Sequence, residues 1–327
     1  MIVSGAISHT QATALDAVSA TYIQATVSET TIANLSAISA SNSTRSSLNK
    51  FSFVVSDTSA TAAQLNSVQA LTSVSVDASN VASISSSAAS DITTLYTGTV
   101  PSGIGAAPIT VSDTTAAATD LEAVNGYTTG KVTSSATTVT GLAADVEPLL
   151  QLADGVVEIA SDVAVTVTDT TLAAEALNDI NDATTGVVTC SSATIVTGIV
   201  TEVQTAMTAN NAGTITGIGA ANVTLDDPAT AGTQSYAVAD IHTLIDTTGF
   251  TGKVTATVTE GNITSLVNGT TGLTGTGHSL TVTVTDAALT AAEFNTIDAV
   301  TTQSVILAPS TSGVAAFDGA VGTGNTA

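Results

Sequence analysis

The chain has 327 residues, and its composition excludes several classes of function. It carries 27 acidic residues against four lysines and arginines, which gives a formal net charge of −23. Such a chain repels phosphate backbones and anionic lipids, so we expect no nucleic-acid partner. No segment approaches the roughly 18 consecutive apolar residues of a membrane span, so we expect no membrane insertion.

A strand-like pentad that ends in aspartate recurs along the chain and predicts a stacked-repeat fold. The copies end at Asp57, Asp113, Asp169, Asp227 and Asp286, so the steps are 56, 56, 58 and 59 residues. We predict an elongated solenoid of about 5.5 repeats of 56–59 residues, either a β-solenoid or an α/β-solenoid. One continuous array would then comprise units of approximately 1–52, 53–108, 109–164, 165–222 and 223–281, with a partial unit at 282–327.

Each repeat is predicted to hold two similar halves. In the copy that starts at Val165, a β-branched strand is followed by a run of helix formers over Leu172–Ile180 and a Thr-Thr-Gly turn. A second strand at 187–189, a second helix over 201–209 and a third short strand at 213–219 complete the unit. Because a helical crossover rather than a hairpin joins the strands, the sheet should be parallel, with short helices or loops on the other side.

Pairs of apolar residues three apart mark the first helix of every repeat and should pack against the strands. In chain order they are Leu15/Val18, Leu65/Val68, Leu121/Val124, Leu177/Ile180, Ile241/Leu244 and Phe294/Ile297. Two irregular places, Thr97–Pro108 and Thr230–Ala239, interrupt the pattern. They are the best candidates for exposed contact surfaces, and the simpler alternative is tolerated sequence drift. The chain starts and stops partway through a repeat, so we expect either a piece of a longer array or a chain whose caps lie elsewhere.

The repeated aspartates have two interpretations. A carboxylate that follows a strand can accept backbone N–H groups in a helix cap or an Asx turn. Alternatively, some carboxylates could bind calcium, although one aspartate per coil does not supply six to eight oxygen ligands. We therefore predict no cofactor and no catalytic residue, and we keep calcium as a possible ligand. The weak candidates for cation contact are Asp179, Asp182, Asp226 and Asp227, with the pair Asp154/Glu158 as a further acidic site.

The remaining chemically versatile side chains predict little chemistry. His9, His242 and His278 stand at non-equivalent places in the repeats and are expected to be exposed to solvent. Cys190 is the single cysteine, so no internal disulfide can form, and it should fill a small space in the core or a turn. Threonines alternate along several strands, as at Thr255/Thr257/Thr259, and could stack in rows similar to the ice-binding faces of some β-solenoids.

Three repeated segments of the chain carry a resemblance to a known family. They are VTVTDTTLAAEALNDINDATTGVV, ITVSDTTAAATDLEAVNGYTTGKV and LTVTVTDAALTAAEFNTIDAVTT. They resemble the Ala/Thr/Val/Asp-rich repeat arrays of very large extracellular proteins in marine bacteria, cyanobacteria especially. The resemblance implies a type I secreted, adhesin-like surface protein located outside the cell. The calcium-binding nonapeptides that often accompany such arrays are missing here.

These observations predict a non-enzymatic extracellular structural or adhesive protein. It would act as a stiff spacer, or it would assemble end to end or side by side with copies of itself into a filament or layer. The alternative is a solenoid similar to phage tail fibres or tailspikes, which binds or cleaves a glycan of the host surface. Cleavage would need paired carboxylates, and sugar binding usually uses aromatic platforms, which are scarce in this chain.

Overall fold

The chain divides into two compact units. The computed structural model describes residues 1–19, 21–38, 48–152, 156–226, 234–286 and 289–308. The first unit comprises Met1–Thr140 and Pro148–Val163, and the second comprises Gly141–Glu147 and Ala164–Ala327. The single continuous array expected from the sequence stays a prediction.

Short strands and short helices alternate along the described part of the chain. The strands are β1 (Ile2–Ile7), β2 (Gln24–Val27), β3 (Lys50–Ser52), β4 (Ser59–Thr61), β5 (Ser83–Ser87), β6 (Ile109–Val111), β7 (Thr115–Ala117), β8 (Val132–Ser134), β9 (Thr138–Gly141), β10 (Val157–Glu158), β11 (Ala164–Val167), β12 (Thr171–Ala173), β13 (Val188–Thr189), β14 (Ile195–Gly198), β15 (Ile215–Thr216), β16 (Asn222–Leu225), β17 (Val254–Thr257), β18 (Ser279–Thr281), β19 (Thr283–Val284) and β20 (Ile306–Leu307). The helices are α1 (His9–Val18), α2 (Ile32–Leu35), α3 (Ala62–Gln69), α4 (Ala89–Thr97), α5 (Ala118–Tyr127), α6 (Ala143–Leu150), α7 (Ala174–Ala183), α8 (Val200–Ala212), α9 (Val238–Ile245), α10 (Ile263–Leu266) and α11 (Ala291–Val300).

The strands within each unit pair in parallel, as the sequence predicts. The first unit contains the sheets β1-β2-β3 and β10-β8-β6-β5-β4 and the pair β7-β9. The second unit contains β11-β13-β15, β12-β14-β16-β17-β18 and β19-β20. Paired residues on neighbouring strands are 20 to 31 positions apart in the sequence. Ile7 and Val27 give the smallest separation, and Val223 and Val254 give the largest. We call one such passage of chain, from a strand to its parallel neighbour, a coil.

Most helices bury their first, fourth and seventh residues, because a spacing of three keeps side chains on one helical face. In α3, α5 and α7 these residues are fully buried: Ala62, Leu65 and Val68; Ala118, Leu121 and Val124; Ala174, Leu177 and Ile180. The predicted anchors of these three repeats thus occupy equivalent places in equivalent helices. The parallel sheets and alternating short helices form an α/β architecture consistent with a solenoid.

The predicted anchor pair Leu15/Val18 is wrong. Helix α1 begins at His9, where Ser8 accepts the N–H of Gln11 and the Gln11 side chain accepts the N–H of Ser8. This capping box starts the helix one turn earlier than the anchor pair requires. Ala12 and Asp16 are therefore the buried residues of α1, and Val18 is 81% exposed.

The two irregular places have different outcomes. In Thr97–Pro108 the chain stacks on the preceding coil, because the N–H of Ser102 donates to the Val76 carbonyl at 2.8 Å and Ile104 is buried. This segment is therefore not a protruding surface. Of the other place, residues 230–233 lie outside the described part of the chain.

Amide side chains also connect neighbouring helices. The fifth residue of α3, Asn66, donates to the Asp91 carbonyl of α4 at 2.9 Å. Asn178 of α7 donates in the same way to the Glu202 carbonyl of α8 at 3.0 Å, and Gln204 of α8 donates to the Asp240 carbonyl of α9 at 3.4 Å. In each case the fifth residue of one helix meets the third residue of the next. The third position therefore faces the preceding coil, and the fifth position faces the following one.

We predict that Leu121→Ala lowers the free energy of unfolding by about 2–5 kcal/mol, because it leaves a cavity at a fully buried position. The matched control is Leu142→Ala, which truncates a leucine that is 48% exposed and should change stability by about 0.5 kcal/mol or less. Urea denaturation followed by far-UV circular dichroism measures both variants. Equal losses for the two would contradict the buried face described for α5.

Candidate functional site

The conspicuous carboxylates of the sequence cap helices of the neighbouring coil. Each accepts the backbone N–H of the first residue of a helix that lies one coil earlier in the sequence. The pairs are Glu29 with His9 at 2.9 Å, Asp57 with Ile32 at 2.8 Å, Asp113 with Ala89 at 2.8 Å, Asp169 with Ala143 at 2.7 Å, Glu260 with Val238 at 2.8 Å and Asp286 with Ile263 at 2.5 Å. We call these six contacts the carboxylate caps.

The carboxylate caps satisfy groups that a helix cannot satisfy alone. The first N–H groups of a helix have no partner within it, and a carboxylate there also interacts favourably with the helix dipole. Capping was the first interpretation of the repeated aspartates, but the sequence did not reveal which helix is capped. After Asp57, Asp113 and Asp169 a strand (β4, β7 and β12, respectively) intervenes before the following helix. The side chain consequently reaches the helix of the preceding coil. Asp227 lies outside the described residues.

The residue that stands beside the helix start differs between one coil and the next. This difference accounts for a sequence repeat that is two coils long. Beside α3 the cap is a hydroxyl, because the N–H of Ala62 donates to Ser87 Oγ at 2.8 Å. Beside α7 stands Gly198, where an added Cβ would lie 3.3 Å from the Cβ of Ala174. The strand pentad that ends in aspartate therefore recurs at every second coil in this region. Each coil is about half as long as the sequence repeat and carries one helix.

The candidate cation ligands do not gather into a centre. Asp179 and Asp182 are exposed on α7, and Asp226 follows β16, where its N–H donates to the Gly198 carbonyl at 3.1 Å. Asp154 lies outside the described residues, and its partner Glu158 contacts Lys131 Nζ at 2.6 Å. Within the described ranges no group of three or more His, Cys, Asp or Glu side chains could hold a metal ion. Cation contact at Asp179, Asp182, Asp226 and Asp227 stays a prediction.

The expectation of exposed histidines is wrong for His278 and His242. His278 is only 3% exposed, and the side chain of His242 is only 15% exposed. His242 Nε2 lies 3.3 Å from Asp246 Oδ2, whereas its buried Nδ1 has no hydrogen-bond partner among the described residues. His9 is partly exposed, and its Nδ1 lies 3.1 Å from Glu29 Oε1. The i,i+4 spacing of His242 and Asp246 could have indicated their contact. The contacts of His9 and His278 join residues of different coils, and sequence spacing gave no sign of them.

His278 takes part in the backbone pairing between coils. Its Nδ1 accepts the N–H of Val254 at 3.0 Å, so the ring is neutral with its proton on Nε2. Asn49 plays the same part between β2 and β3, because its Oδ1 accepts the N–H of Ile23 at 2.9 Å. Burial, and to a smaller extent the positive charge of Lys253, lowers the pKa of His278 below its ordinary value.

Cys190 is fully buried, as the sequence predicts for a residue that fills the core. Burial, together with the nearby charge of Asp169, raises the pKa of its thiol to about 12. A thiol with such a pKa stays protonated at neutral pH and is a poor nucleophile. Cys190 therefore contributes packing rather than chemistry.

Threonine and serine side chains form in-register rows across several sheets. One row runs Thr197, Thr224, Thr255 and Ser279, and a second runs Thr166, Thr189 and Thr216. Over β16, β17 and β18 the hydroxyls line a shallow open groove of about 340 Å³, bordered by Asp226, Gln234 and Gln303. The sequence favoured reading these threonines simply as good strand residues, and the structure places some of them in short in-register rows.

We predict that Asp113→Ala lowers the free energy of unfolding by about 0.5–2 kcal/mol, because the N–H of Ala89 loses its acceptor. Asp113→Asn should lose less, since its amide oxygen can still accept that hydrogen bond. The control Asp162→Ala removes an exposed carboxylate and should leave stability within about 0.5 kcal/mol. Urea unfolding at neutral pH compares the three variants, and an Asp113→Ala value equal to the control would contradict the cap.

We predict that the free energy of unfolding decreases as the pH is lowered below about 6.5, partly because of His278. Above that pH the imidazole is neutral in the folded and the unfolded chain, so its contribution is fully present. Below it the unfolded chain takes up a proton that the folded chain refuses, since its pKa is lowered. The loss continues until the pH reaches the folded pKa.

The variant His278→Asn keeps an acceptor for the N–H of Val254 but cannot titrate. Thermal unfolding between pH 7.5 and 5 should therefore be less pH-dependent in this variant, by at most about 1.4 kcal/mol per pH unit. Identical pH dependence in the variant and the parent chain would show that His278 is protonated equally in both states.

Compared with protein-family models, with curated proteins and with solved structures, the chain matches none of them. In the part of the chain that the structure describes, no helix has the length and apolar character needed to span a bilayer.

Proposed function

We propose that this chain is a non-enzymatic structural or adhesive repeat protein of the cell surface, which works as a stiff spacer or as a self-assembling element. The observation that carries the proposal is the set of carboxylate caps. Six carboxylates, among them the repeated Asp57, Asp113, Asp169 and Asp286, join one coil to the next. Because these carboxylates cap the starts of helices in the neighbouring coil, we assign them a structural role.

The coil-to-coil contacts support a load-bearing part for the chain. Neighbouring coils are joined by parallel backbone pairing and by the carboxylate caps. They are also joined by hydrogen bonds that the side-chain amides of Asn66, Asn178 and Gln204 donate. In stacked repeats, stability is approximately a sum over units and their nearest-neighbour interfaces. An elongated array of about 5.5 repeats built in this way would resist bending and extension, which suits a spacer between a cell and the surface that it contacts.

The charge of the chain supports a location outside the cell. A net charge of −23 keeps copies soluble and separated from anionic membranes and nucleic acid. The resemblance to secreted bacterial surface arrays points the same way. The exposed acidic pairs could bind calcium only weakly, so the proposal includes no structural cation.

A second candidate is a glycan-binding solenoid similar to phage tail fibres, and one observation favours it. The groove over β16, β17 and β18 presents hydroxyl, amide and carboxylate groups, including Thr255, Gln234 and Asp226. Such groups can hydrogen-bond sugar hydroxyls. The groove has no aromatic platform among its lining residues, so a spacer function has the stronger support.

We predict that antibodies raised against the full chain label intact cells of the source organism in immunogold electron microscopy. An antibody to a cytoplasmic protein is the control and should label only permeabilised cells. Labelling by the chain's antibody that also required permeabilisation would overturn the surface location. Release of reducing sugar from host glycans by the purified chain would instead support the tailspike alternative.

A further inference from the structure

Two tyrosines from neighbouring coils stack on each other in the first unit. Tyr96 is the eighth residue of α4, and Tyr127 is the tenth residue of α5. Their ring centroids lie 5.3 Å apart and their ring planes differ by only 2°, which is the geometry of an offset stack. Both residues are partly exposed. The pair is thus a contact between coils that small solutes can reach.

Packing alone does not account for a tyrosine at position 127. The hydroxyl of Tyr96 donates to the carbonyl of Ile104 at 3.2 Å, which holds the ring of Tyr96 in place. The hydroxyl of Tyr127 has no hydrogen-bond partner among the described residues. A phenylalanine could stack equally well at this position, so the phenol of Tyr127 is free for chemistry.

The stack lies between two helices that lack the amide bond found elsewhere. At three other places the fifth residue of one helix donates its side-chain amide to a carbonyl of the next helix. The fifth residue of α4 is Thr93, whose side chain makes no such bond within the described part of the chain. The two tyrosine rings therefore supply a side-chain contact between α4 and α5.

Side chains that compete with tyrosine for oxidants are scarce in this chain. It has no tryptophan, one cysteine and two methionines. Cys190 and Met207 are buried, and a protonated thiol reacts slowly. An oxidant that removes single electrons would therefore act mainly on the four tyrosines. Tyr96 and Tyr127 are the two of these four whose rings are stacked on one another.

We propose that Tyr96 and Tyr127 form an oxidative cross-linking site, at which a dityrosine bond joins the two coils. The co-reactant is hydrogen peroxide, used by a haem peroxidase that removes one electron at a time. Each phenol loses one electron and one proton, and the two phenoxyl radicals couple through ring carbons that lie beside their oxygens. The hydrogens on these two carbons then move to the oxygens, which restores both phenols. One hydrogen peroxide is reduced to two waters for each bond formed.

The geometry favours coupling within one chain over coupling between chains. The two rings already face each other, so the radicals need no diffusional encounter. Two copies with a net charge of −23 each repel one another, which slows coupling between copies. The bond would close a loop of 31 residues. In a spacer it would limit how far these two coils can separate under load.

The test treats the full chain with a haem peroxidase and hydrogen peroxide and then isolates the monomer by size-exclusion chromatography. The monomer should show dityrosine fluorescence. Digestion with a protease that cleaves after glutamate, followed by mass spectrometry, should find the peptides of Tyr96 and Tyr127 joined. The joined species should be lighter than the two separate peptides together by the mass of two hydrogen atoms.

Tyr127→Phe keeps an aromatic ring in the stack but lacks the phenol, so its monomer should lose both the fluorescence and the joined peptide. Tyr96→Phe should give the same result, and far-UV circular dichroism checks that both variants fold. The matched control Tyr22→Phe removes a phenol that is 37% exposed elsewhere, and its monomer should cross-link like the parent chain.

Two results would overturn the proposal: a parent monomer without the joined peptide, or equal dityrosine fluorescence in the monomers of Tyr127→Phe and the parent chain. The cross-link does not depend on the proposed function, and surface labelling by immunogold does not depend on the cross-link. A chain that labels intact cells but forms no joined peptide would therefore remove this site and leave the proposed function in place.

Discussion

The structure depends on contacts that each coil makes with the coil beside it. Helices of 4 to 13 residues are too short to be stable alone in water, because nucleation fixes several backbone dihedrals for one hydrogen bond. The carboxylate caps supply the missing acceptors from the next coil, and the apolar face of each helix packs on its own coil's core. Among the described elements, the strands pair with strands of neighbouring coils, and the six capped helices take an acceptor from the next coil.

This constraint also accounts for part of the unusual composition. Among the described helices, seven carry an acidic residue within the first turn, including α4, α5 and α8. A further acidic residue from the next coil meets the first N–H of several of them. Negative charge at helix starts is favourable, whereas lysine or arginine there would not be. The acidity that excludes nucleic acid as a partner is thus, to a considerable extent, a consequence of the many short helices.

Sequence periodicity was sufficient to predict the class of fold, but it was not sufficient to predict the contacts between coils. The recurring strand word and the anchors Leu65, Leu121 and Leu177 predicted parallel strands and equivalent buried helices. The partner of each capping aspartate could not be read from the sequence, because the capped N–H lies 23 to 26 residues earlier. The register of α1 was missed for a local reason, namely that the capping box of Ser8 and Gln11 outweighs the apolar pair Leu15/Val18.

Two of the buried polar residues, Asn49 and His278, mark places where one coil differs from the others. Asn49 and His278 both complete the backbone pairing of a preceding strand, but only His278 can gain a charge. A protonated ring would present an N–H to the N–H of Val254, so this contact between coils can fail at acidic pH while the contact at Asn49 persists. Substitution of a single acceptor thus makes one interface of a repetitive stack sensitive to acid, and the difference arises from the chemistry of one side chain within an otherwise repeated architecture.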